Sequence, residues 1–136
     1  MLISFLGFFI PGYSANWVKV AENSTHVAYI NVDKVTTLSD NIISFWTLTN
    51  YKNNNVSAIS KFMADCVKGK KTHLYFSYYN EPMGKGRVVS QDNWERSSFP
   101  KPNTIKSKVM KFACKYQSEI PQQNKMYRED EAFYEY

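Results

Sequence analysis

Residues 42–49 read Ile-Ile-Ser-Phe-Trp-Thr-Leu-Thr, and this stretch decides the fold because it carries the strongest strand pattern in the chain. Side chains alternate between the two faces of a strand, so Trp46 lies on one face and Phe45 on the other. A turn-rich segment, Tyr-Lys-Asn-Asn-Asn at 51–55, follows it. Residues 56–66 then alternate again, which predicts a second strand that pairs with the first as a hairpin.

Four more strand-like stretches surround this hairpin, and each is bounded by short polar or glycine-containing turns. They lie at 16–21, 27–30, 72–79 and 87–90. Parallel neighbours need a crossover of a dozen or more residues, and these connections are shorter. The sequence therefore predicts a six-stranded antiparallel β-sheet.

A single helix is predicted after the strands, over 104–116. Pro100 and Pro102 precede it, and Asn103 or Thr104 supplies the N-cap. Its apolar residues cluster on one arc, which predicts that one face docks on the sheet. The fold class is therefore α+β, with the helix packed on the sheet. We expect Trp46 on the central strand and Phe112 on the helix to be core residues.

The first residues resemble a secretory signal peptide. An apolar stretch at 2–10 is too short to span a bilayer, which needs about 20 residues. Small residues at 12, 14 and 15 follow, so the pattern predicts a signal peptide at 1–15. An apolar N-terminal strand or a membrane-lying segment is the alternative interpretation. No later stretch is long and apolar enough for a membrane helix.

Cys66 and Cys114 are the two cysteines of the chain. Behind a signal peptide, two cysteines in a small domain most often form one disulfide. Cys66 ends a predicted strand, and Cys114 lies at the edge of the docked face of the predicted helix. The sequence therefore predicts a disulfide that links the sheet to the helix.

The charge pattern divides the chain further. Its formal net charge is +5, a moderate excess that permits contact with acidic surfaces but also serves plain solubility, the interpretation that we favour. Lysines concentrate in the middle and on the helix, whereas 121–136 is rich in carboxylates. We therefore predict one domain at 16–120 and an acidic, flexible tail at 121–136.

Lys108, Lys111 and Lys115 share the helix face opposite the apolar arc, so they are the candidate binding residues. A solvated helix face is the plain alternative. Nucleic acid is disfavoured because no aromatic stacking motif accompanies the lysines. His26 and His73 lack the paired spacings of a metal site, and no catalytic constellation stands out. The sequence thus predicts a binding protein without cofactor or metal rather than an enzyme.

Several short motifs resemble the surface-adhesin protein E family of Gram-negative bacteria. They include Tyr29-Ile30-Asn31-x-Asp33-x-Val35, the stretch from Phe45 to Tyr51, Ser60-Lys61-x-x-x-Asp65-Cys66, and Ala113-Cys114. The resemblance covers roughly 17–116. It implies an antiparallel sheet with a packed C-terminal helix and one intramolecular disulfide, and it allows self-association as a homodimer.

The resemblance also implies a function in recognition. A member of this family is an adhesin for host matrix and serum proteins, which points to a protein at the cell surface of a Gram-negative bacterium that contacts such proteins or acidic glycans. The alternative is a periplasmic accessory or envelope-assembly protein that binds a small ligand or envelope component on the concave side of the sheet. Binding of matrix proteins to intact cells distinguishes the two functions, because a periplasmic protein cannot contact them.

Overall fold

A computed structural model describes residues 15–93 and 95–119. The chain forms strands β1 (Trp17–Glu22), β2 (His26–Asn31), β3 (Thr36–Ser39), β4 (Ile42–Tyr51), β5 (Val56–Asp65), β6 (Lys70–Tyr79), β7 (Val88–Asp92) and β8 (Arg96–Ser98), followed by helix α1 (Ile105–Glu119). Two short 3₁₀ turns lie at Val32–Lys34 and Pro82–Gly84. The predicted signal peptide, Ala15 apart, and the acidic tail lie outside the described residues.

The described strands form one antiparallel sheet in the order β1-β2-β4-β5-β6-β7. Strands β4, β5 and β6 have ten residues each and make the centre of the sheet. Short β3 pairs with one end of β4, and short β8 pairs with one end of β6. On one side of the centre β2 and β3 both pair with β4, and β1 pairs with β2; on the other side β7 and β8 both pair with β6.

The predicted fold class is confirmed, and the six predicted strands are those of the main order. The sheet also contains β3 and β8, which the sequence did not predict. Every residue of these two strands is exposed, so no alternation of apolar and polar side chains marks them. β3 and β8 are kept in the sheet by backbone pairing with β4 and β6. Because they bury no side chains, their sequences show no hydrophobic period.

Helix α1 packs on one face of the sheet, against β1, β2 and β4. Ile43 and Phe45 of β4 are buried there with Val109 and Ala113 of α1. Phe112 is partly buried and packs against this core, where it stacks on Tyr116 at 6.2 Å between ring centroids. Thr104 is the N-cap, since its hydroxyl accepts from the Ser107 amide at 3.2 Å.

The prediction that Trp46 is a core residue is wrong. Trp46 lies on the face away from α1 and is only half-buried. There it meets Tyr75 edge-on at 5.8 Å, and the Lys61 ammonium lies 5.6 Å from its ring centroid. Its neighbour Phe45 points the other way and is fully buried. The predicted alternation of side chains along β4 was correct, but Phe45, not the larger Trp46, faces the helix.

The loop between β6 and β7 covers part of this second face. Ser57, fully buried on β5, donates to the Glu81 carbonyl at 2.6 Å and accepts from the Gly84 amide at 2.9 Å. Asn50 of β4 accepts from the Met83 amide at 2.8 Å. These bonds hold the loop against Leu48, which is fully buried.

Within the described ranges, no helix has the length and hydrophobicity that a membrane crossing requires.

Candidate functional site

The disulfide predicted from the sequence is present. Cys66 follows β5, Cys114 lies in the third turn of α1, and their Cα atoms are 5.9 Å apart, within the usual range for a bonded pair. The Asp65 carboxylate accepts from the amides of Val67 and Lys68 at 3.0 and 2.9 Å. Asp65 therefore shapes the turn after β5, and the bond fixes α1 to the centre of the sheet.

The three candidate lysines lie along one exposed strip of α1. Lys108, Lys111 and Lys115 are all exposed, whereas Val109 and Ala113 between them are buried against the sheet. Their spacing of three and four residues places them on neighbouring turns of the same helix face. We call this strip the basic face. It presents cationic side chains on a helix that a disulfide holds at its third turn.

A groove opens on the same side of the sheet as α1, where the helix leaves the sheet uncovered. Its volume is about 470 Å³, within the usual range of small-molecule sites. Its floor consists of small and hydroxyl side chains of β4 and β5, namely Thr47, Thr49, Ala58 and Ser60. The first turn of α1 and strand β8 form its rim at one end. The alternative function predicted from the sequence placed a ligand on the concave side of the sheet, and it named none of these residues as a site.

One end of the groove is cationic. Lys71 of β6 is only 6% exposed, and its ammonium lies 4.2 Å from the centroid of the Phe62 ring. Burial, reinforced by the nearby charge of Lys106, lowers the pKa of Lys71 to about 8. Burial likewise lowers the pKa of His73, and Arg96 borders the same end.

The other end of the groove is aromatic. A series of ring contacts runs along β6, with His73 and Phe76 at 5.7 Å and Phe76 and Tyr78 at 5.3 Å between centroids. Tyr51 of β4 closes the series at 6.2 Å from Tyr78. Burial, and then the hydrogen bond with Tyr78, raises the pKa of Tyr51 above its ordinary value. The groove thus changes from charged to aromatic along its length.

A β-bulge creates this arrangement. Lys61 pairs with Tyr75 and Phe62 pairs with His73, so Leu74 is an extra residue on β6. The extra residue changes which side chains share a face. Lys71 and His73 therefore lie on the same side as Phe76 and Tyr78, although simple alternation would separate the two pairs. Sequence reasoning missed the groove for this reason, and because Lys71 precedes the strand predicted at 72–79 and its burial is visible only in the structure.

The chain is a small disulfide-linked domain in which one helix packs on an antiparallel sheet. The model of the family described as surface-adhesin protein E matches residues 17–115, and the chain belongs to this family. Membership indicates an exported protein. No curated protein sequence matches the chain significantly.

Solved structures of Haemophilus influenzae protein E share the fold. One, in crystal form II, has a TM-score of 0.59 and 15% sequence identity, and the match covers 78% of this chain and 91% of that one. Another has a TM-score of 0.56 and 14% identity, with 79% of this chain and 90% of that one covered. At this identity the likeness concerns the architecture and does not transfer residue roles.

Proposed function

We propose that this protein is an exported, non-enzymatic adhesin that recognises an acidic host macromolecule, such as a matrix or serum protein or an acidic glycan, through the basic face of α1. Family membership supports the adhesin class. The observation that carries the proposal is the exposure of Lys108, Lys111 and Lys115 on one strip of a helix whose opposite side is buried.

The structure supports this role through rigidity as well as charge. The disulfide and the buried contacts of Val109 and Ala113 hold the helix in place, so the lysines are presented on a fixed backbone. A rigid cationic strip loses little conformational entropy when it binds, apart from that of the lysine side chains themselves. Contacts between exposed charges are screened by salt, with a Debye length of about 8 Å at physiological ionic strength. Binding through the basic face should therefore weaken as salt rises.

A charge-reversal experiment tests the proposal. The variant with Lys108→Glu, Lys111→Glu and Lys115→Glu is compared with wild type for binding to immobilised heparin and laminin. We expect affinity to fall by about fivefold or more, because each exposed charge contact contributes roughly 0.2–1 kcal/mol. The melting temperature should stay close to that of wild type, since all three side chains are exposed.

A matched control separates location from total charge. Lys34, Lys85 and Arg87 are exposed and lie outside α1, in the turns at 32–34 and 82–87, and their reversal to Glu changes the net charge by the same amount. We expect this control to retain most of its affinity. Equal losses in both triple variants would mean that net charge, not the basic face, governs binding. Unchanged binding of the α1 variant would shift attention to the loop at Asn80–Gly86.

Localisation is tested on intact cells. Surface display predicts that an external protease removes the protein and that antibodies reach it without permeabilisation. Protection of the protein until the outer membrane is opened would instead support a periplasmic accessory function.

Homodimer formation, which the family resemblance allowed, is measured separately by light scattering of the purified protein.

A further inference from the structure

The groove is lined by two lysines, Lys71 and Lys106, and its described lining contains no aspartate or glutamate. Lys71 forms no ion pair with any described carboxylate, and its ammonium lies over the face of the Phe62 ring. A buried ammonium that keeps only a ring face as partner remains poorly solvated. An anion placed beside Lys71 would supply the missing counter-charge.

The shape of the groove constrains what carries that anion. From Lys71 to Tyr78 the groove follows β6 for roughly 20 Å, at about 3.3 Å per residue. Its cationic groups lie at one end, and Phe76, Tyr78 and Tyr51 lie at the other. A compact anion would leave the aromatic end empty, and a neutral apolar molecule would leave Lys71 unpaired. The polarity of the groove matches a long, narrow molecule with one charged end.

We propose that this groove binds a long-chain carboxylate, whose head group pairs with Lys71 and Lys106 and whose hydrocarbon chain lies along Phe76 and Tyr78. Lys71 supplies a desolvated charge-assisted hydrogen bond, and Lys106 supplies attraction from the first turn of α1. The aromatic ladder supplies apolar contact area for the chain. This site is separate from the basic face and does not rest on the proposed adhesion.

Isothermal titration calorimetry of the purified protein with dodecanoate, dodecanol and butanoate tests the inference. Dodecanoate carries both features, dodecanol lacks the charge and butanoate lacks the long chain. We expect one dodecanoate per chain and affinities at least about tenfold weaker for the other two probes, because a charge-assisted hydrogen bond and a buried chain are each worth that much. Failure of dodecanoate to bind, or equal binding of dodecanol, would overturn the proposal.

Variants locate the head group. Lys71→Met keeps the side-chain length and removes the charge, so it should weaken dodecanoate about tenfold and leave dodecanol unchanged. Lys68→Met, at an exposed position in the turn before β6, is the matched control and should bind like wild type. Should Lys71→Met not fold, Lys106→Met replaces it, because that side chain is exposed. Full dodecanoate affinity in the folded Lys71 or Lys106 variant would also overturn the proposal.

Tyr78→Ala locates the chain. Tyr78 lies at the aromatic end and is 38% exposed, so its truncation should be tolerated by the fold. We expect weaker dodecanoate binding with butanoate binding unchanged, since the short acid does not reach this end. Unchanged dodecanoate affinity would mean that the chain does not follow β6, and the proposed binding mode would be wrong.

Discussion

At the scale of single residues, Lys71 is the side chain whose position is costly to the folded protein. It is 6% exposed, and burial lowers its pKa from 10.5 to about 8. At neutral pH the folded chain must therefore hold a charged ammonium in a poorly solvating site. One pKa unit corresponds to about 1.4 kcal/mol, so this burial costs up to about 3 kcal/mol of folding stability. Placing such a group where it destabilises the fold is typical of binding sites.

This cost predicts an unusual response to mutation and pH. Between pH 8 and 10.5 the unfolded chain holds more protons on Lys71 than the folded chain does, so the contribution of Lys71 to stability should rise with pH. Lys71→Met should raise the free energy of unfolding at pH 7 by about 1–3 kcal/mol and remove that rise. Urea unfolding across this pH range measures both effects.

The control for this prediction is Lys68→Met. Lys68 is exposed in the turn before β6, so its replacement should leave both stability and pH dependence nearly unchanged. A destabilised Lys71→Met protein would show that Lys71 serves the fold rather than a ligand. Stabilisation of that variant together with loss of dodecanoate binding would show that the lysine is kept for binding.

At the same scale, adjacent residues show what alternation predicts well and what it does not. The pattern of β4 correctly separates Phe45 from Trp46, because the side-chain period of a strand is two. It does not show which face the helix covers, and the prediction that Trp46 is a core residue selected the wrong face. Along β6, the bulge at Leu74 shifts the period by one residue and joins Lys71 to Phe76. A bulge leaves no reliable signal in one sequence, so the groove was not predictable.

At the scale of elements, the loop between β6 and β7 behaves as part of the sheet. Its anchor is the Ser57 hydroxyl, which both donates to Glu81 and accepts from Gly84. Gly84 has φ +66°, and a Cβ there would lie 2.7 Å from the Ile59 side chain, so glycine suits this point of the loop. The loop fits closely over β5 and shields Leu48 from water.

Ser57→Ala should release this loop. The substitution leaves the Gly84 amide and the Glu81 carbonyl without their partner, which costs about 1–3 kcal/mol. We expect a lower melting temperature and faster hydrogen exchange at the Met83 and Gly84 amides. Ser90→Ala, at an exposed position of β7, is the control and should change neither. Unaltered exchange at Gly84 in the Ser57 variant would show that other contacts hold the loop.

The elements also differ in how well the sequence predicts them. The long strands β4, β5 and β6 and the amphipathic helix follow from period and caps, because each buries one face. Strands β3 and β8 are exposed throughout and depend on neighbours that are distant in the chain. The basic face was visible because three lysines share one helix. The groove was not, since its lining comes from β2, β4, β5, β6, β8 and α1.

At the scale of the whole molecule, one covalent bond joins the two layers. Helix α1 is the last described element, and its packing covers only part of one face of the sheet. The Cys66–Cys114 bond spans 48 residues and ties this helix to the end of β5. The position of α1 in turn sets both candidate surfaces, because the helix carries the basic face and its first turn forms the rim of the groove. Loss of the bond should therefore affect stability and binding together.

The variant with Cys66→Ser and Cys114→Ser tests this coupling. In the chain-entropy model a closed loop of this length stabilises the fold by about 4 kcal/mol, a large share of the net stability of a small domain. We expect the variant to lose roughly that amount in urea unfolding and to bind dodecanoate and heparin more weakly in proportion to its unfolded fraction. Reduction of wild type with dithiothreitol should reproduce the loss, and dithiothreitol should not affect the variant. A variant as stable as oxidised wild type would mean that packing of Val109 and Ala113 alone holds the helix, and that the bond only protects an already stable contact.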